Sequence, residues 1–97
     1  MERIQLDYPA LHTVPRRAHV GVVGSGDLEV LLEPSPDLRA HVLVNTSVDG
    51  FGATWKSVLD HFFTRFKGAA SIEINDFGAT PGTVMLRLEQ AVEATRT

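Results

Sequence analysis

Gly50-Phe51-Gly52-Ala53-Thr54-Trp55-Lys56-Ser57-Val58-Leu59-Asp60-His61-Phe62-Phe63-Thr64-Arg65-Phe66 is where this chain changes period. Trp55, Val58, Leu59, Phe62, Phe63 and Phe66 stand at i, i+3, i+4, i+7, i+8 and i+11, a single stripe of an α-helix. Lys56, Asp60, His61 and Arg65 fall largely off that stripe, and Ser57, preceded by Lys56, is expected to face solvent. Four of the six stripe residues are aromatic, so this helix is expected to supply much of the core. Truncating a buried one to alanine should cost about 3–5 kcal/mol. Gly68 stands where a left-handed residue would end the helix.

Upstream of this stretch the apolar residues alternate. Ile4, Leu6 and Tyr8 give a first strand that Pro9 ends, and residues 10–15 read as a connection. Ala18, Val20 and Val22, then Leu28, Val30 and Leu32, then Ala40, Val42 and Val44 give three more strands, each with one buried face. Pro34-Ser35-Pro36-Asp37 is a turn signal between the last two. Downstream, Ser71-Ile72-Glu73-Ile74-Asn75 is a short fifth strand. Thr80-Pro81 reads as an N-cap followed by proline at the first helical position. Val84, Leu88, Ala91 and Val92 keep helical spacing; Val84, Leu86 and Leu88 also alternate, and the alanine- and glutamate-rich tail tips the choice to helix. The expected fold is α+β, a single domain over residues 1–97. It is a two-layer sandwich, a mostly antiparallel sheet of about five strands covered on one face by two helices.

Between the second and third strands lies Val22-Val23-Gly24-Ser25-Gly26-Asp27. A two-residue loop of Ser25 and Gly26 would pair Val23 with Leu28 and put His19 on the apolar face. A three-residue loop of Gly24, Ser25 and Gly26 pairs Val22 with Leu28, Val20 with Val30 and Ala18 with Leu32. A slip of one residue exchanges the faces, so the apolar pattern selects the longer loop. Its last position needs a left-handed backbone, which Gly26 supplies. Ser25 then projects from the end of the sheet between two small neighbours. Gly-Ser-Gly is also plain turn chemistry.

The 97 residues suffice for one core without disulfides or a structural metal. Net charge is −3 and the one basic pair, Arg16-Arg17, is no patch, which argues against nucleic acid as a partner. With no cysteine the chain has no disulfide, zinc knuckle or thiol nucleophile. Met1-Glu2-Arg3-Ile4-Gln5 lacks the apolar core of a secretory signal and no run approaches a membrane span, so a cytoplasmic protein is expected.

Catalytic motifs fail one by one. Gly21-Val22-Val23-Gly24-Ser25-Gly26 misses G-x-G-x-x-G, and a strand follows where a phosphate-binding helix should start. Ser25 misses G-x-S-x-G, since Val23 and Asp27 hold the glycine positions. His12, His19, His41 and His61 are scattered, with no spacing that favours a triad or a metal site. Asp76-Phe77-Gly78 matches a kinase tripeptide in a chain far too short for a kinase. It reads instead as a strand-to-helix connection, with Phe77 on the core and Gly78 turning the chain. Asp27 and Glu29 read as a solvated strand face that a positively charged enzyme surface could recognise. Leu31, apolar on that outward face, is a candidate docking contact.

At Gly24-Ser25-Gly26-Asp27-Leu28-Glu29-Val30-Leu31-Leu32-Glu33-Pro34 the chain resembles the acyl carrier (delta) subunits of bacterial malonate decarboxylase. The likeness returns at Thr46-Ser47-Val48-Asp49-Gly50, at Trp55, at Asn75-Asp76-Phe77-Gly78-Ala79-Thr80-Pro81-Gly82 and at Leu86-Arg87-Leu88-Glu89-Gln90. The resemblance implies a non-catalytic carrier. Ser25, with Gly24 and Gly26 as flanking turn, would be joined by a phosphodiester to 2′-(5″-phosphoribosyl)-3′-dephospho-CoA. The thiol of that group would carry acetyl and malonyl as thioesters. The implied partners are the acyl-carrier transferase (alpha) and decarboxylase (beta/gamma) subunits, the prosthetic-group transferase and a malonyl transferase. No metal is implied. Phosphopantetheine carriers differ: they are helical bundles with Asp-Ser-Leu at a helix start, a tripeptide this chain does not contain. The alternative reading is a small cofactor-free interaction module that docks a larger enzyme through its sheet face. A serine-dependent hydrolase, which would need a histidine beside Ser25, is a third.

Overall fold

The computed structural model describes residues 1–96. Its elements run β1 (Glu2–Pro9), β2 (His12–Thr13), β3 (Ala18–Gly21), β4 (Leu28–Pro34), β5 (Arg39–Thr46), α1 (Gly52–Phe62), β6 (Gly68–Asp76) and α2 (Pro81–Thr95). The sheet order is β1-β5-β6-β4-β3, with the two-residue β2 beside the start of β6. Pairs β1–β5, β3–β4 and β4–β6 are antiparallel. The central pair β5–β6 is parallel, and α1 makes the crossover that a parallel pair requires.

The register lines up apolar rows across five strands. Ile4, Val44, Ile74, Val30 and Val20 form one row, and Leu6, Val42, Ile72, Leu32 and Ala18 the next. Both helices cover this face, and Leu59 of α1 and Leu88 of α2 are fully buried against it. The opposite face is open. It carries Gln5, Asp7, Leu31, Glu33, His41, Leu43, Ser71 and Glu73 around a shallow hollow of about 540 Å³, and Leu31 is half-buried there. The α+β sandwich, its two helices on one face and the Thr80 cap are as expected; Thr80 Oγ1 accepts from Thr83 N at 3.2 Å. Ser57 is exposed.

Two local expectations are corrected. Gly68 is not a left-handed helix cap: α1 ends at Phe62, turns through Thr64 and Arg65, and Gly68 opens β6. Glycine is required there by space, since a Cβ would stand 2.5 Å from Phe66 Cζ and 2.7 Å from Val14 Cγ2. Phe77 does not join the core. It is half-buried beside Val23 at the sheet's end, because the strand phase that points Ile72, Ile74 and Asp76 inward turns residue 77 away. Gly78 does turn the chain, with φ +92°.

Candidate functional site

One end of the sheet gathers the end of β3, the start of β4, the C-terminal ends of β5 and β6 and the N-termini of both helices. Ser25 stands there, exposed. The pairing of Ala18 with Leu32 and Val20 with Val30 is the one the apolar pattern selects. The ladder stops at Gly21, however, so Val22 does not pair with Leu28. Gly21 has φ +82°, and a Cβ there would overlap the Leu28 carbonyl oxygen. That kink carries Val22 and Val23 out into solvent, at 60% and 58% exposure, and lengthens the loop.

The loop is tied down on three sides. Asp27 N donates to Gly24 O at 3.0 Å, closing a four-residue turn with Gly26 at φ +76° in the position that needs a left-handed residue. Gly26 N donates to Phe77 O at 2.7 Å and Phe77 N to Asp27 O at 3.0 Å, extending the β4–β6 ladder into the Asp76-Phe77-Gly78 connection. Arg87 of α2 grips Asp27 through Nε and Nη2, at 3.2 and 2.7 Å. The Arg87 guanidinium, with the Leu28 N–H behind it, holds the Asp27 carboxyl below the usual carboxylate range. Asp27 and Glu29 are therefore not a solvated strand face. Glu29 Oε2 meets His19 Nε2 at 2.9 Å and its Oε1 accepts from Asn75 at 2.9 Å, so both carboxylates are engaged within the chain.

Beneath the end lies Asp76, 3% exposed. Its carboxylate accepts from Thr46 Oγ1 at 2.8 Å, Ala79 N at 3.0 Å and Gly78 N at 3.3 Å, pinning β5, β6 and the approach to α2 together. Sequence reasoning assigned Arg87 and Asp76 no role. Asp76 had a signal: it continues the inward phase of Ile72 and Ile74, as its register partner Thr46 continues Val42 and Val44. A polar pair at core-phase positions marks a buried hydrogen-bonded anchor. Arg87, 60 residues from Asp27, had none.

The histidines are not brought together. His19 lies on the open face, His61 is exposed on α1, and His12 and His41 are at the far end of the sheet, His41 between Asp7 and Asp37. Among the described residues no cluster of three or more His, Asp or Glu could hold a metal ion. No helix among them is long and apolar enough to cross a membrane.

Residues 15–95 match the family described as malonate decarboxylase delta subunit (MdcD). The chain belongs to that family. It is 49% identical over 94 residues to the malonate decarboxylase acyl carrier protein of Azotobacter vinelandii, covering 96% of this chain and 95% of that one. To the protein of the same name from Pseudomonas savastanoi pv. phaseolicola it is 50% identical over the same shares. A chain in the crystal structure of a Pseudomonas malonate decarboxylase hetero-tetramer in complex with malonate superposes with a TM-score of 0.93 at 46% identity, over 98% of this chain and 99% of that one. The fold of this family member is thus a mixed-sheet α+β sandwich with the Gly24-Ser25-Gly26 turn at one end.

Proposed function

We propose that the chain is the acyl carrier subunit of a malonate decarboxylase and that Ser25 is the phosphodiester attachment point of 2′-(5″-phosphoribosyl)-3′-dephospho-CoA. The single observation that carries this reading is an exposed serine on a loop that its own chain holds rigid. A modifying enzyme must reach the hydroxyl, and the surroundings allow it: a Cβ at Gly26 would meet nothing within 4 Å, and one at Gly24 only Val22 Cγ2 at 3.9 Å. The chain has no thiol of its own, and the attached group would supply one for acetyl and malonyl thioesters. The chain's own residues do the presenting. Arg87 and Phe77 fix the turn, Gly26 gives it its shape, and Asp76 anchors the platform below. Acid–base chemistry falls to the partners: the transferase (alpha) and decarboxylase (beta/gamma) subunits, a malonyl transferase and the prosthetic-group transferase, in the cytoplasm.

Intact-mass measurement after coexpression with the prosthetic-group transferase tests the reading. The expected result is added mass that maps to the Ser25 peptide. Ser25→Ala should fold normally, gain no mass, and leave the assembled decarboxylase without activity. An active Ser25→Ala complex would overturn the assignment. Unmodified wild-type protein would leave a cofactor-free module, docking through its open sheet face.

A further inference from the structure

Beside the serine loop, at the same end of the sheet, an apolar hollow of about 210 Å³ opens between the N-terminal ends of the two helices. Phe51, Trp55, Val58, Ala79, Pro81 and Val84 supply most of its wall, and Phe51 and Val48 stand at 51% and 38% exposure at its mouth. Val48, Gly78 and the polar residues Thr46, Thr54 and Asp76 complete the lining, with Thr54 exposed at the rim. The polar atoms of the buried pair Thr46 and Asp76 are committed to one another and to backbone amides, so these two residues offer an incoming group no free donor.

We infer that this hollow takes the uncharged acetyl thioester end of the arm on Ser25 and turns away the malonyl end; the inference rests on the proposed function. Three observations support it. The first is size. A cavity of about 150 Å³ takes a benzene ring, so 210 Å³ suits the handful of heavy atoms in an acetyl thioester and its ethylamine stem. The second is reach. Gly78 and Ala79 line the hollow, while the adjoining Phe77 hydrogen-bonds to Gly26 and Asp27, the two residues that follow Ser25. Two strand spacings, about 10 Å, separate β4 from β5 in the sheet, less than the length of such an arm. The third is charge. Malonyl carries a carboxylate that would have to sit in an apolar space beside the buried Asp76 carboxylate, where two like charges repel and neither is hydrated. Acetyl brings no charge. The carrier would shelter the resting acyl group and leave the one awaiting decarboxylation extended toward a partner.

The single tryptophan makes the test direct. Wild-type carrier, loaded by coexpression and confirmed by mass, is compared by ¹⁵N NMR as free thiol, acetyl and malonyl forms. The expected result is a shift of the Trp55 indole and of the Ala79 and Val84 amides in the acetyl form alone. Asp76→Asn, which keeps the Thr46 acceptor and removes the charge, should let the malonyl form shift the same signals. Ala79→Leu, which fills the hollow from its rim, should abolish the acetyl shift and make the acetyl thioester several-fold more reactive to hydroxylamine. No acetyl-dependent shift at Trp55 in mass-verified protein would overturn the inference and leave the hollow to a partner's side chain. Equal shifts in the wild-type acetyl and malonyl forms would overturn the charge selection. Absence of the added mass would instead defeat the proposed function, so the two failures are distinguishable.

Discussion

The two ends of the sheet are closed by different physics. At the far end, where β1 finishes and β6 begins, closure is aromatic. Tyr8 stacks on Phe63 with ring centroids 4.1 Å apart, Phe63 meets Phe62 edge-on at 4.9 Å, and Phe66 packs over Gly68 and Val14. At the serine end, closure is polar: Asp76 and Thr46 bind the strand ends, and all four glycines with left-handed backbone, Gly21, Gly26, Gly50 and Gly78, turn the chain there. Met1, Val22, Val23, Val48 and Phe51 are left exposed around it. Packing needs no particular chain conformation, so it stabilises the far end without constraining what the near end displays. Directional hydrogen bonds fix loop geometry while leaving apolar groups free for partners. Stability and presentation are segregated along the strands.

The contrast can be broken by mutation. Phe63→Ala should have the largest effect, about 3–5 kcal/mol in chemical denaturation, with loading of Ser25 unchanged under native conditions. Loading that fell in proportion to stability would deny the segregation. Asp76→Ala should cost less, about 1–3 kcal/mol, because of the three groups it strands only the Thr46 hydroxyl is fully buried, while the Gly78 and Ala79 amides lie near water. Its signature is local: amide exchange at Gly78 and Ala79 should accelerate more than exchange in β1.

The far end was largely legible in the sequence, because its logic is periodicity. The aromatic end of the stripe, Phe62, Phe63 and Phe66, and the alternation that turns Tyr8 inward named the residues that meet there. Even so, α1 stops at Phe62 and Phe66 reaches the core from a turn, since the tight turn after Phe63 keeps the residue on the same side as the helix does. The serine end was legible only in part. Hairpin register and the left-handed Gly26 followed from face matching and loop length. The kink at Gly21 did not, because it depends on how close the Leu28 carbonyl comes once the strands pair. Nor did the parallel β5–β6 pairing, which is set by where the α1 crossover returns the chain. The Arg87–Asp27 clamp joins residues 60 positions apart, and no periodicity encodes that.

Two groups, His41 at the far end and Asp27 at the serine end, should also respond to pH with opposite sign. Asp7 and Asp37 flank His41 at 2.7 and 3.0 Å, and Asp37 first, then Asp7, raise its pKa above the ordinary 6.5. Protonated imidazole is favoured in the folded state, so this contribution is fully present below about pH 6.5 and fades as pH rises through the raised value. Asp27 is the reverse case. Its pKa is depressed below 3.8 by Arg87, so its contribution holds above that pH and is lost as pH falls through the lowered value. Both groups are solvent-accessible, and the effects are small. Denaturation of His41→Gln should lose the mild decline of stability above pH 6.5. Protection of the Gly26 and Phe77 amides should fall selectively below pH 4 in wild type, and Asp27→Gln should remove that dependence.

The smallest effect on the fold should come from the position closest to the serine. Gly24 has ordinary backbone and open space around it, so the fold does not require a glycine there. Gly68 at the far end is the opposite case, boxed in by Phe66 and Val14. If the serine end is shaped for an outside enzyme, the room at Gly24 serves that enzyme and not this chain. Gly24→Leu should therefore shift stability by no more than about 0.5 kcal/mol, while the mass added by the prosthetic-group transferase appears markedly more slowly. A variant that is unfolded, or one that loads at the wild-type rate, would show that the gap beside Ser25 belongs to folding or to nothing. Unchanged stability with slowed loading would separate the two ends at a single residue.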